Sequence, residues 1–145
     1  MQEMLEKQLA GLGPYHLKEI LGEGAHATVY RATREGASQD VALKVLHAPL
    51  VDDAEALAAF RARAAIAARA SHPAVARVIE DGTGHETPYL AMELIPGFAL
   101  DQLLEHGRPS EKAAVAIVHG ILEVLSALVE GHEIVHGRLD PGAVI

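Results

Sequence analysis

Short apolar runs cut by glycine shape the first third of this sequence. Residues 15–22 alternate through Tyr15, Leu17, Glu19 and Leu21, the period of a strand with two unlike faces. Gly22 and Gly24 mark a tight turn. Residues 27–34 read as a second strand, with Val29 and Tyr30 as β-formers. After a loop at 36–39, residues 41–46 form an apolar strand interrupted by one cation, Lys44. A lysine there is costly to bury without a partner. Residues 52–70 read as a helix, with Asp52 and Asp53 at the end where the helix dipole favours negative charge. Leu57, Phe60 and Ala64 share one of its faces, and Ser71-His72-Pro73 ends it. Two more strands, 75–80 and 88–94, bracket a loop at 81–84. Pro96 and Gly97 break the chain before a short helix at 99–106 and a long one at 110–130; residues 135–143 read as a loop. Five strands with one helix between the third and fourth, followed by two helices, give an α+β order.

Composition narrows what such a chain does. Its 145 residues suit one compact domain, and the residues before Pro14 read as a lead-in. Aromatic residues make up only 3% against 50% apolar, so the core is built from Ala, Val, Leu and Ile. Net charge is −8 and no basic stripe is present, which argues against a nucleic-acid partner. The sequence has no cysteine, which excludes disulfides and Cys-zinc sites and makes a cytoplasmic location the default expectation. The first ten residues mix charges and lack the apolar run of a signal peptide. The stretch 113–129 carries His119 and Glu123 and is expected to fall short of a membrane span, so no membrane partner is expected. Nine histidines invite a metal reading, but none forms H-E-x-x-H; His132 and His136 share only an i, i+4 spacing, and no metal site is expected.

Several segments resemble, in order, those of the eukaryotic-type serine/threonine protein kinases. Leu21-Gly-Glu-Gly-Ala-His-Ala-Thr-Val29 is similar to the glycine-rich loop, with Ala27 in place of the third glycine. Val41-Ala-Leu-Lys44 resembles the V-A-I-K strand. Ser71-His-Pro-Ala-Val75 resembles the H-P-x-V segment, and Tyr89 to Gly97 the strand entering the hinge. Ile134-Val-His-Gly-Arg-Leu-Asp-Pro-Gly-Ala-Val-Ile145 aligns with the catalytic loop. The resemblance implies a kinase amino-terminal lobe at 14–95, a five-stranded antiparallel sheet with one helix. It implies a hinge, two helices and a degenerate catalytic loop at 96–145, a truncated carboxy-terminal lobe.

The same resemblance assigns roles. Gly22, Gly24 and Val29 match the loop over the ATP phosphates, where a missing Cβ lets backbone N–H groups approach. Lys44 matches the lysine that pairs with the α- and β-phosphates. Leu21, Val29 and Ala42 match the pocket roof, Met92 the gatekeeper, Glu93 and Ile95 the hinge, and Ile145 the floor. The glutamate expected to hold Lys44 is replaced by Arg63. Arg138 stands at the catalytic aspartate, Asp140 at the γ-phosphate lysine and Ala143 at the magnesium-binding asparagine. A guanidinium stays protonated and accepts no proton. These departures lead to the expectation of a catalytically inactive module, not an enzyme, with ATP or ADP bound weakly and without magnesium if at all.

The long helix carries Ile117, Val118, Ile121, Leu122, Leu125 and Leu128 among other aliphatics. A helix apolar nearly all round is normally buried. The expectation is therefore association through 110–130, with a second copy or another protein. Two other readings remain open at this point: a switch that responds to nucleotide, and a degenerate kinase that retains weak activity.

Overall fold

The computed structural model describes residues 12–133 and 141–145. They fall into two compact units. One comprises the chain up to Arg69 together with Ala76–Leu94; the other joins Ala70–Val75 to Ile95–Ile145.

The first unit is a five-stranded antiparallel sheet with one helix. Strands β1 (Tyr15–Glu23), β2 (Ala27–Arg34), β3 (Asp40–Leu46), β4 (Val78–Gly82) and β5 (Tyr89–Glu93) are arranged in the order β1-β2-β3-β5-β4. The expected α+β sheet is present. The fourth strand is a correction: it begins at Val78 rather than 75 and takes in Asp81 and Gly82, which read as loop. Asp81 and Gly82 pair with Leu90 and Tyr89, so the ladder overrides their low strand propensity. The turn at the end of β4 is closed by the Asp81 carboxylate accepting the Thr83 N–H at 2.9 Å.

One sheet face buries Leu12, Tyr15, Ala32, Val41, Leu43, Val45, Tyr89 and Ala91. Against the opposite face, Phe60 of helix α1 (Ala54–Arg69) packs on Ala27 and Leu46, with Leu57 beside it. Phe60 and Ala64 are buried, as their i, i+4 spacing requires. The helix starts where Asp53 sits, because its carboxylate accepts the N–H groups of Glu55 and Ala56, both at 3.0 Å. On its other side the Arg61 guanidinium donates to the Thr83 carbonyl at 3.3 Å.

The second unit carries α2 (Leu100–Glu105) and α3 (Glu111–His132). Ser110 caps α3 by accepting the Ala113 N–H on its hydroxyl at 3.2 Å. Glu133 ends the helix in the left-handed region at φ 55°, with its N–H returned to the Val129 carbonyl at 3.1 Å. Of the residues expected to form an interface, Leu128 is corrected: it is only 5% exposed, covered within the chain itself. Ile117, Ile121 and Leu125 are half-buried, and Val118 and Leu122 are exposed. By length and composition alone, the stretch 113–129 does not fall short of a membrane span as expected. The helix runs past 113–129 to 22 residues, long and apolar enough by length and composition to cross a membrane.

Candidate functional site

Sheet register decides which of the expected residues share a face. Directly opposed residues of antiparallel strands project to the same side. Gly22 opposes Val29, Val29 opposes Lys44, and Lys44 opposes Leu90. These four form one rung across four strands. In the next rung on the same face, Ala42 opposes Met92. Val29, Ala42, Lys44 and Met92 thus lie on the face opposite the larger core cluster, the same face against which α1 packs at its Ala27–Leu46 end. Lys44 is half-buried between the buried Leu43 and Val45. Arg63, expected opposite it in place of a glutamate, is exposed on α1.

The β1–β2 connection is tight. The Gly24 N–H donates to the Ala27 carbonyl at 2.9 Å, leaving Ala25 and His26 at the tip. The ladder continues beyond β2, where the His47 N–H donates to the His26 carbonyl at 2.9 Å and the Thr28 hydroxyl lies 2.9 Å from His47 Nε2. The two glycines differ in what they meet. A Cβ at Gly24 would lie 3.2 Å from the Ala27 carbonyl, so the hairpin itself favours glycine there. A Cβ at Gly22 would meet nothing within 4 Å, and its backbone is not left-handed. Leu21 falls at a register shift between Ile20 and Gly22, the irregularity that re-aims a side chain next to such a turn.

Glu93 closes β5 with its N–H donated to the Arg77 carbonyl at 2.8 Å. Ile95 and Ile145 belong to the second unit, where Ile145 packs near Gly97. Arg138 and Asp140 lie outside the described residues. Ala143 lies in a single 3-10 turn, Pro141–Ala143. Among the described residues no three His, Asp or Glu side chains gather to hold a metal ion.

Sequence reasoning missed two polar clusters. The Asp40 carboxylate accepts from Lys18 Nζ at 2.7 Å, Arg31 Nε at 2.6 Å and the Thr33 hydroxyl at 2.7 Å, and these three donors hold it well below the usual carboxylate range. Glu80 accepts the hydroxyls of Tyr15 at 2.9 Å and Tyr89 at 2.8 Å. The two rings meet edge to face, 5.5 Å apart. Burial works to raise the Glu80 carboxyl, but the two hydroxyls and Arg34 together bring it below its ordinary value. No local pattern announces either cluster, because each forms only when strand pairing sets its members side by side.

The tyrosines respond in the opposite sense. Burial first, and then the hydrogen bond to Glu80, push Tyr15 up to about 12; Tyr89 is raised by the same causes. The folded state therefore keeps phenolic protons that the unfolded chain releases near pH 10. Stability from this source is complete below pH 10 and is lost as pH rises through the folded values. Spectrophotometric titration at 295 nm is expected to show Tyr15 and Tyr89 ionising only together with loss of the far-ultraviolet dichroism. Their ionisation near pH 10 in the still-folded chain contradicts this account.

The chain matches the family model described as protein kinase domain over residues 15–142. It is 36% identical over 142 residues to a probable serine/threonine-protein kinase of Streptomyces coelicolor, covering 92% of this chain and 20% of that protein. It is equally 36% identical over 143 residues to calcium/calmodulin-dependent protein kinase type 1B of Rattus norvegicus, covering 95% of this chain and 40% of that one. The crystal structure of the Mycobacterium tuberculosis PknI kinase domain superposes with a TM-score of 0.71 at 24% identity, over 90% of this chain and 53% of that one. The chain thus spans about half the solved kinase domain and a smaller share of the curated relatives.

These relatives correct the expectation that the chain is not an enzyme. They are named protein kinases, which are enzymes, and the similarity runs through nearly the whole chain. The contrary expectation rested on the identities of Arg63, Arg138, Asp140 and Ala143 in the resemblance, of which Arg138 and Asp140 lie outside the described residues. With the sheet, its lysine rung and the relatives in agreement, the chain belongs to the protein kinase domain family, among the bacterial serine/threonine kinases of eukaryotic type.

Proposed function

We propose that this chain is the ATP-holding portion of a serine/threonine protein kinase. The observation that carries the reading is the rung Gly22–Val29–Lys44–Leu90, which puts a bare backbone position, an apolar roof and a cation on one sheet face. Gly22 supports it independently. Neither crowding nor backbone conformation requires glycine there, so the missing Cβ has no role in the fold that the described residues reveal. A polyphosphate lying against the hairpin gives it one, since a side chain would stand between the phosphate oxygens and the backbone N–H groups. Val29, Ala42 and Met92 supply an apolar surface for the base, and Lys44 a point charge for the α- and β-phosphates. A kinase draws on the nucleotide pool of the cytoplasm, and that is the proposed location.

The test separates ligand from fold. Gly22→Val places a β-branched residue in a strand where nothing obstructs it, and the melting temperature is expected to hold or rise slightly. Affinity for ATP, read by calorimetry with and without EDTA, is expected to fall at least tenfold, about 1.4 kcal/mol. Unchanged ATP affinity in this variant, or no ATP binding by the parent chain, sinks the proposal.

A further inference from the structure

Strand β1 does not pair regularly with β2. A ladder running straight on from Leu17–Ala32 sets Lys18 against Arg31, Ile20 against Val29 and Gly22 against Ala27. The pairs that form are Glu19–Arg31, Ile20–Tyr30 and Gly22–Val29. Two register shifts, one between Leu17 and Glu19 and one between Ile20 and Gly22, each advance β1 by a residue. Together they bring the glycine, in place of Ile20, into the rung with Val29 and Lys44. A bulge leaves one residue without a partner in the ladder, and a slip of one residue exchanges the two faces of the strand. The shifted register therefore needs something to hold it.

The first shift has such a holder. Lys18 and Glu19 stand together against the single Arg31. Neighbours on a regular strand point to opposite faces, yet these two reach one polar cluster. Arg31 opposes Ala42, on the face that carries Val29, Lys44 and Met92. Its Nη1 donates to Glu19 Oε1 at 3.1 Å and its Nε to Asp40 Oδ2 at 2.6 Å, while Lys18 Nζ donates to Asp40 Oδ1 at 2.7 Å. Thr33, which opposes Asp40, fixes that carboxylate with a hydroxyl at 2.7 Å from Oδ1. On a straight ladder Glu19 faces Tyr30 on the core side and loses Arg31. The cluster thus favours one register over the other. A lone exposed ion pair stabilises little, but here several donors share one carboxylate whose side chain is only 11% exposed.

We infer that Arg31 and Asp40 are positioning residues that pin the first bulge of β1, through Glu19 and Lys18, and so put Gly22 in the nucleotide rung. The pin rests on the nucleotide reading of this face and adds to it residues that touch no nucleotide. Asp40→Ala is expected to lower ATP affinity about tenfold by calorimetry and to abolish the backbone nuclear Overhauser contact between Gly22 and Val29. Arg31→Met, which keeps an unbranched stem in the strand, repeats both losses. Deleting Lys18 joins Leu17 to Glu19, so that Glu19–Arg31 and the pairs after it follow from Leu17–Ala32 without a bulge. That deletion, added to Asp40→Ala, restores both ATP affinity and the Gly22–Val29 contact. A cluster that acts only on stability is not rescued by removing another of its members. An Asp40→Ala chain that keeps the parent's ATP affinity or its Gly22–Val29 contact, or a double variant that recovers neither, overturns the pin and leaves the nucleotide reading standing. A parent chain that binds no ATP overturns both.

Discussion

Gly82→Ala is expected to cost about 3 kcal/mol, the upper part of the range for overpacking a filled core. A Cβ built at Gly82 falls inside the Tyr89 ring, touching its Cε2, Cζ and Cδ2. That ring is fully buried and has nowhere to go. Its hydroxyl is tied to Glu80 at 2.8 Å, its edge meets Tyr15, and its strand sits between β3 and β4. Moving the ring uncouples Glu80 from one of its two donors as well as opening the core, so both packing and hydrogen-bond losses follow. The melting temperature should drop by roughly 10 °C for a chain of this size. Gly84→Ala, two residues on and with open space around its Cα, serves as the control and should change stability by less than about 0.5 kcal/mol. Equal melting temperatures for the two variants would mean that the β4–β5 pairing is wrong.

The contrast between Gly82 and Gly22 also separates what a reader of the sequence obtains from what the fold adds. The Gly22–Gly24 pair stands beside Val29 and Lys44 in segments that resemble kinase motifs, and it is that resemblance, with the rung that the sheet register makes of Gly22, Val29 and Lys44, that marks the candidate site. Gly82 sat in a run of turn-forming residues, Asp81-Gly-Thr-Gly84, and read as loop. Its place in β4 depends on pairing with Tyr89 seven residues on, and its lack of a side chain is needed for the Tyr89 ring. Helix α1 was legible in type and facing because Phe60 and Ala64 carry a 3.6-residue period. The Asp40 and Glu80 clusters were not, since their members come from strands that meet only through the sheet order. On α3 the composition reads as apolar nearly all round and hence buried, whereas Leu128 alone of the helix is buried and His119 and Glu123 lie open on it. Leu128 went inward while Leu122 and Val118 stayed out. The enzymatic reading failed at a different link. Arg138 and Asp140 were weighed as isolated charges, whereas similarity along the rest of the chain places it with named kinases.

Lys44→Met is expected to weaken ATP binding by about thirtyfold while leaving adenosine affinity unchanged. Met keeps an unbranched stem of similar length, so the packing of the strand between Leu43 and Val45 is preserved and only the ammonium is removed. Hydrogen bonds between a charged donor and phosphate oxygens contribute about 1.5–3 kcal/mol each, and 2 kcal/mol corresponds to roughly thirtyfold in affinity. The loss should grow from adenosine, which Lys44 does not touch, to ADP and ATP, which offer the phosphates it is proposed to hold. Lys44→Arg is expected to recover only part of the binding, because a planar guanidinium at the end of a longer stem does not reproduce a compact ammonium set in a strand. The competing account gives Lys44 a purely structural role, with its stem lying along the sheet and its charge reaching solvent. On that account Lys44→Met changes the melting temperature and not the nucleotide series. Calorimetric titration of the parent and both variants with adenosine, ADP and ATP decides between them. A uniform change across the three ligands, or none, would remove Lys44 from the site and leave Gly22 without the cation that makes its bareness useful.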